Sequence, residues 1–244
     1  MALYKIKISY DGTDFHGFQR QLNKRTAQGE IEHALRQLDW SGRAITASGR
    51  TDSGVHAEGQ IAAFELEWNH SEKDLEKALN FFLPSDISIH QVKIENKDFH
   101  PRYDAKFRKY RYQIYISSTV EPLAERYNWR VWPEPDFSLM DQAANIICGE
   151  HDFVLYGKPA KKGGRTIRNV ESAKCKRGKG NKAIFQIKAN SFLYHMVRRI
   201  AFILVRVGQG KVMNDAIVDS FEEIDNLPPG IAPAKGLFLE EIVY

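Results

Sequence analysis

The chain has 244 residues, enough for one large domain or two small ones; its 43% apolar and 27% charged composition is that of a folded globular protein and excludes disorder. Two cysteines, Cys148 and Cys175, exclude a disulfide framework and point to a reducing cytoplasm, the opening "MALYKIKISYDG" is neither a signal nor a transit peptide, and no apolar run approaches membrane-spanning length. The net charge of +4 says less than its distribution. Lys158 to Lys182 holds ten basic residues against Glu171 alone, and Arg102 to Arg111 holds five against Asp104 alone. Such local fields suit a polyanion, and equally a solvated surface with a basic loop.

In chain order, "LYKIKISYDG" alternates Tyr4, Ile6 and Ile8 against Lys5, Lys7 and Ser9, a half-buried strand. In "TAQGEIEHALRQLDW", Ile31, Ala34, Leu35 and Leu38 form one helix face. "RAITAS" reads as a short strand and "GQIAAFELEW" as another. "SEKDLEKALNFF" is a helix with Ser71 as N-cap and Leu75, Ala78, Leu79 and Phe82 on one face; "DISIHQVKI" follows as a strand. The order is β-α-β-β-α-β. The second half repeats it: the strand "KFRKYRYQIYI", a proline-containing connection, a helix with Leu139, Ala143, Ile146 and Ile147 inward, strands "TIRNVESAKCKR" and "KAIFQIKANS" around a glycine turn, the apolar helix "LYHMVRRIAFILVRVGQGK", a short helix "NDAIVDSFEE" and the strand "GLFLEEIVY". The expected fold class is α+β: two such halves, residues 1–100 and 101–244, whose mainly antiparallel sheets flank a central catalytic cleft.

Several chemistries find no motif. "GQGKV" lacks the spacing of a P-loop, no cysteine pair has zinc spacing, the eight histidines are scattered, and neither a dinucleotide fingerprint nor a nucleophile elbow occurs. No metal and no cofactor is expected.

"ASGRTDSGVHAEG", Ala47 to Gly59, is too polar for a core strand and too glycine-rich for a helix. Arg50 stands two residues before Asp52, and a nearby arginine keeps a carboxylate ionised, as a carboxylate nucleophile must be. Glycines on both sides permit tight turns and close approach of a ligand. The plainer reading is an Asx-turn with a surface pair between Arg50 and Asp52. His56 reads as a packed or solvated histidine.

"GRTDSGVHA" resembles the signature of the TruA-type tRNA pseudouridine synthases, and four further stretches resemble that family's motifs in order: "YDGTDFHGFQRQ", "DFHPRYDAKFRKYRY", "ANSFLYHMVRRI" and "APAKGLFLEEI". Together they span nearly the whole chain. The resemblance implies an isomerase that converts uridine to pseudouridine at positions 38, 39 and/or 40 of the tRNA anticodon stem-loop, without cofactor or metal, as a cytoplasmic homodimer in which one tRNA touches both subunits. It implies Asp52 as nucleophile with Arg50 and Arg198 as its catalytic partners, Tyr110 against the target base, and Leu237 pressing on the flipped base or serving as core. It implies tRNA contacts by Phe99, His100, Pro101, Arg102 and Tyr103 and by Gly164, Arg165, Thr166, Ile167 and Arg168, with Arg102, Arg165 and Arg168 the leading phosphate ligands. On pattern alone Tyr110 shares an alternation with Tyr112, Ile114 and Ile116 and reads as core. Arg199 is expected as a phosphate or surface contact, and His16 and Gln19 as supports of the catalytic loop. Phe18 replaces the family's usual tryptophan, and Phe202 a frequent glycine. A tRNA binder without catalysis, and an unrelated α+β enzyme for a small acidic metabolite, are the rival readings.

Overall fold

The computed structural model describes residues 1–222, 224 and 227–244. These form two compact units: Met1–Lys106 with Phe238–Tyr244, and Phe107–Leu237.

The first unit contains β1 (Ala2–Tyr10), α1 (Ala27–Arg36), β2 (Thr46–Ala47), β3 (His56–Leu66), α2 (Glu72–Phe82) and β4 (Ile87–Glu95). β1 is central: it pairs antiparallel with β3, from Ala2 opposite Leu66 to Ile8 opposite Gln60, and antiparallel with β4 on its other side. Its alternation buries Tyr4, Ile6, Ile8 and Tyr10, as the sequence pattern requires. Both helices start on side-chain caps, Thr26 accepting the Gly29 N–H and Ser71 the Asp74 N–H. They bury Ile31, Ala34, Leu35, Leu75 and Leu79 completely, each of the isoleucine and leucine side chains contributing about 2 kcal/mol. Phe82, expected inward, is 38% exposed beside the still more exposed Phe81, because the helix ends there at Leu83 and Pro84. The strand expected over Arg43 to Ser48 is only two residues long, while β3 begins at His56 rather than Gly59.

The second unit contains β5 (Phe107–Ile116), α3 (Pro122–Glu125), β6 (Trp129–Val131), α4 (Phe137–Ile146), β7 (Gly149–Asp152), β8 (Ile167–Arg177), β9 (Lys182–Ala189), α5 (Met196–Gly208) and α6 (Asn214–Phe221). Its strands run β5-β9-β8-β7, all antiparallel, with β6 parallel to β5. α5 buries Ile200, Ala201, Ile203 and Leu204 completely. It starts at Met196, later than the apolar pattern suggests, because His195 sits at φ 68°, outside helical space. On α4, Ala143 and Ile147 face in as expected, but Met140 is buried where Leu139 was expected; Leu139 is 38% exposed. The expected helix ending "FEE" runs to Phe221; Glu223 lies outside the described residues. The last strand, β10 (Leu237–Val243), runs parallel to β3, Phe238 opposite His56 and Leu239 opposite Ala57. Strands and helices thus form an α+β fold with mainly antiparallel sheets.

Candidate active site

The segment that follows β1 holds the loop that enters β3. Tyr10 and Thr51 share a hydroxyl–hydroxyl hydrogen bond of 2.8 Å. Phe18 N–H donates to the Thr51 carbonyl at 3.2 Å, Gly54 N–H to Phe15 O at 3.2 Å, and the Ser53 hydroxyl to Phe15 O at 3.3 Å. Val55 N–H closes a tight turn on Asp52 O at 3.2 Å, with Gly54 at φ 76°, a conformation that suits glycine. Gly17, at φ 83°, lies so close that a Cβ there would come within 2.7 Å of Thr51 O. On the other side, the Ser48 hydroxyl donates to Gln60 Oε1 at 2.6 Å, and Gln60 Nε2 donates to Gly49 O at 3.2 Å. The loop is fixed on both sides, with Thr51 buried, Asp52 half-buried and Arg50 exposed.

His56, buried at the start of β3, ties this frame together. Gly12 N–H donates to its Nδ1 at 3.0 Å, the Asp11 carboxylate lies 3.1 Å from the same nitrogen, and Phe238 stacks on its ring at 4.6 Å. His16 and Gln19, the supports expected from sequence, are exposed. Tyr10, Gly12, Phe15, Gly17, Phe18, His56 and Gln60 do that work instead. Their only sequence signal was position: most lie in "YDGTDFHGFQRQ", whose aromatic residues alternate with glycines. Phe18, in place of tryptophan, is fully buried behind the loop.

The 99–103 segment is built as a turn around His100. Its N–H donates to Asp104 Oδ2 at 2.9 Å, and its Nδ1 accepts the N–H groups of Arg102 and Tyr103 at 3.1 and 3.3 Å. Tyr103 is 77% exposed and its ring lies on His100 at 4.2 Å. Phe99 packs on Tyr244 at 5.2 Å, and the Tyr244 hydroxyl donates to the carbonyl of Pro101, which is buried. Arg102 is exposed.

In the second unit, Tyr110 is half-buried on β5, opposite Ile187, and meets Phe192 edge-on at 5.1 Å. Tyr112, two residues on, is fully buried; its hydroxyl donates to Pro233 O, and burial pushes its pKa well up against the opposing charge of Arg198. Arg198 stands in the first turn of α5, half-buried, with Nε donating to Ala232 O at 2.8 Å. Its neighbour Arg199, expected at phosphate or on the surface, is half-buried and donates to the carbonyls of Pro228 and Gly230. It holds the loop that leads to β10. Phe202 fills the space beside Gly230, where a Cβ would come within 2.4 Å of the ring, and stacks on Trp129. Leu237 is buried at the start of β10.

Gly164 to Arg168 leads into β8. Gly164 N–H donates to Lys161 O, the Thr166 carbonyl accepts Phe153 N–H, and Ile167 is opposite Asp152. Arg165 is exposed. Arg168 is half-buried: Nη1 donates to the carbonyls of Arg165 and Ile167, and the buried Nε has no hydrogen-bond partner among the described residues. Burial lowers its pKa, the positive charge of Arg165 lowers it further, and Asp152 opposes both.

A sequence model described as tRNA pseudouridine synthase matches residues 6–104 and 143–244. The chain belongs to the tRNA pseudouridine synthase family. It is 39% identical to tRNA pseudouridine synthase A of Fervidobacterium nodosum, over the full length of both chains. It is 38% identical to the protein of that name from Acetivibrio thermocellus, again over both full lengths, and 39% identical to that of Geobacillus sp., covering 98% of this chain and 97% of the relative. A tRNA pseudouridine synthase is an isomerase, so this chain's class of chemistry is isomerisation. The family match spans the loop of Asp52, the 99–103 and 164–168 segments, Arg198 and Leu237, and passes over residues 105–142, among them Tyr110.

Proposed function

We propose that this chain isomerises uridine to pseudouridine at positions 38, 39 and/or 40 of the tRNA anticodon stem-loop, with Asp52 as the nucleophile. The observation that carries this reading is the loop around Asp52: Thr51, Ser53, Gly54 and Val55 are each bonded into the frame, and one half-buried carboxylate stands among them. A nucleophile fixed by its neighbours' backbone bonds loses little freedom on reaching the transition state.

The target uridine leaves its stack, which costs a few kcal/mol, least in a loop or at a stem end. The Asp52 carboxylate attacks the sugar at C1′ or the ring at C6. The N1–C1′ bond breaks, the uracil turns, and a C5–C1′ bond forms. The C5 proton is lost, N1 is protonated, and the carboxylate is regenerated, so no oxidant or activated donor is consumed. Arg50 supports the charge of Asp52 from two residues upstream. Arg198 acts as its partner from α5. Tyr110 takes the base face, a role supported by its place on β5 and by the "KYRY" motif, and Leu237 bears on the flipped base.

Phe99 to Tyr103 and Gly164 to Arg168 hold the tRNA, with Arg102, Arg165 and Arg168 on phosphates; the exposure of Arg102 and Arg165 supports that role. The enzyme works as a cytoplasmic homodimer in which one tRNA touches both subunits; no helix among the described residues is long and apolar enough to cross a membrane. The test is to map pseudouridines in tRNA from cells lacking the protein and again after it is restored. Loss and return at positions 38 to 40 supports the reading, and an unchanged map contradicts it.

A further inference from the structure

α5 begins from a tight turn. The Met196 N–H donates to Leu193 O at 3.2 Å, which closes a turn with Tyr194 and His195 at its centre. His195 stands at φ 68° and ψ −2°, while Tyr194 keeps a negative φ. That is the geometry of a type II turn, whose third residue is usually glycine. The other described non-glycines of positive φ are Asn23 and Asp39, short polar side chains that enter this region readily; His195 alone carries a ring there.

Both sides of the turn are fixed. Ahead of it, Tyr194 and Lys158 exchange backbone hydrogen bonds at 2.9 and 3.2 Å, and Gly157 lies so close that a Cβ would come within 2.6 Å of Tyr194 O. Behind it, the Arg199 N–H donates to His195 O at 2.9 Å, and α5 is anchored by the buried Ile200, Ala201, Ile203 and Leu204. A chain pinned at both ends takes up the remaining angle at one residue, and a left-handed side chain persists where its surroundings over-determine it. The rings of His195 and Tyr194 stack at 3.6 Å. Consecutive side chains point to opposite faces of a strand and well apart around a helix, so such a stack forms across a kink and holds it.

Arg198 stands in the helical turn that follows. Its carbonyl accepts the Ala232 N–H at 3.2 Å, and its Nε donates to Ala232 O at 2.8 Å. Backbone and side chain thus meet the same residue, and that match depends on the angle at which α5 leaves the turn.

We propose that His195 is a positioning residue: its left-handed turn, held by the stack on Tyr194 and the bridge to Lys158, sets the first turn of α5 and so the place of the Arg198 guanidinium. The proposal rests on the reading of Arg198 as a catalytic partner of Asp52.

The test uses full-length His195→Gly, His195→Val, Arg198→Ala and the double variant His195→Val with Arg198→Ala. Pseudouridine formation on tRNA is followed in single turnovers at several concentrations of excess enzyme, giving a maximal rate and a half-saturating concentration; melting temperatures are recorded beside them. Glycine enters the left-handed region freely, so His195→Gly keeps the maximal rate within about twofold. A β-branched residue is an outlier there, so His195→Val lowers the maximal rate about tenfold with half-saturation within about twofold. In the Arg198→Ala background the same valine changes the rate by less than about twofold, because the arginine it misplaces is gone. A valine variant with the wild-type rate and a lowered melting temperature shows a residue that serves the fold alone, and overturns the proposal. So does a loss as large with glycine as with valine, or one of about tenfold that persists without Arg198. Should His195→Val not fold, His195→Ala, with a Cβ but no branch, takes its place and lowers the rate about fivefold. A wild-type rate in Arg198→Ala removes the role on which the proposal rests, and is told apart from a loss there with none in His195→Val.

Discussion

The hydroxyls of Tyr10 and Thr51, buried and 2.8 Å apart, tie the last residue of β1 to the residue before Asp52. This single contact links the register of the first sheet to the position of the carboxylate. Gly17 reinforces it, since it leaves room for Thr51 O only because it has no Cβ.

Tyr10→Phe keeps the ring and removes the bond. Loss of a buried hydrogen bond that strands the Thr51 hydroxyl costs about 1–3 kcal/mol. Urea unfolding checks this. A loosened loop also lowers kcat, on the order of tenfold, with little change in KM, because displacement of a catalytic group by a fraction of an ångström is felt in the transition state. A variant with lost stability and unchanged kcat would show that Tyr10 supports the fold alone.

Arg168→Ala removes a partly desolvated cation that stands beside Arg165. tRNA affinity falls, and the slope of log K against log salt becomes shallower by about one. Binding titrations between low and moderate salt provide the measurement. An unchanged slope removes Arg168 from the phosphate contacts.

Glu125 gives a pH dependence. A hydrogen bond from Lys235, with others from Arg130 and Tyr115, holds its carboxyl below the usual carboxylate range, against a smaller effect of burial. A depressed folded pKa stabilises the protein above the unfolded value, near about 4.3, and that stability is lost as pH falls through the folded value. Glu125→Gln therefore lowers the melting temperature at pH 7, and its difference from wild type shrinks as pH falls below about 4. Thermal melts across that range decide it; a difference independent of pH means that the ion pairs are not its source.

The helices were the most legible part of the fold. Ser71 caps as its place before an apolar stripe requires, and the stripes at Ile31 to Leu35 and at Leu75 and Leu79 face inward. The misses share a cause: tertiary context overrode local pattern. Four or fewer residues form α3, β6, β7 and β2, too few to leave a period in the sequence. The inward stripe of α4 starts at Met140 rather than Leu139 while keeping Ala143 and Ile147, since either apolar residue stands within three or four positions of Ala143. The left-handed His195 cut α5 shorter than its apolar run. At the site, Asp52 and Arg50 stood out because charge among glycines is conspicuous. The supports were silent because Tyr10, Phe15 and Phe18 read as ordinary core residues, and only the folded chain shows them bonded to the loop. Arg199 looked like a twin of Arg198, yet carbonyls of the 228–230 loop hold it.

The account turns on Asp52, and one measurement reaches it most directly: tritium release from tRNA carrying 5-tritiated uridine, by Asp52→Asn beside the wild-type protein. The substitution changes no bond of the backbone frame and removes the nucleophile. Release at background level, with tRNA binding within about threefold of wild type, is the predicted result. Release near the wild-type rate would contradict it.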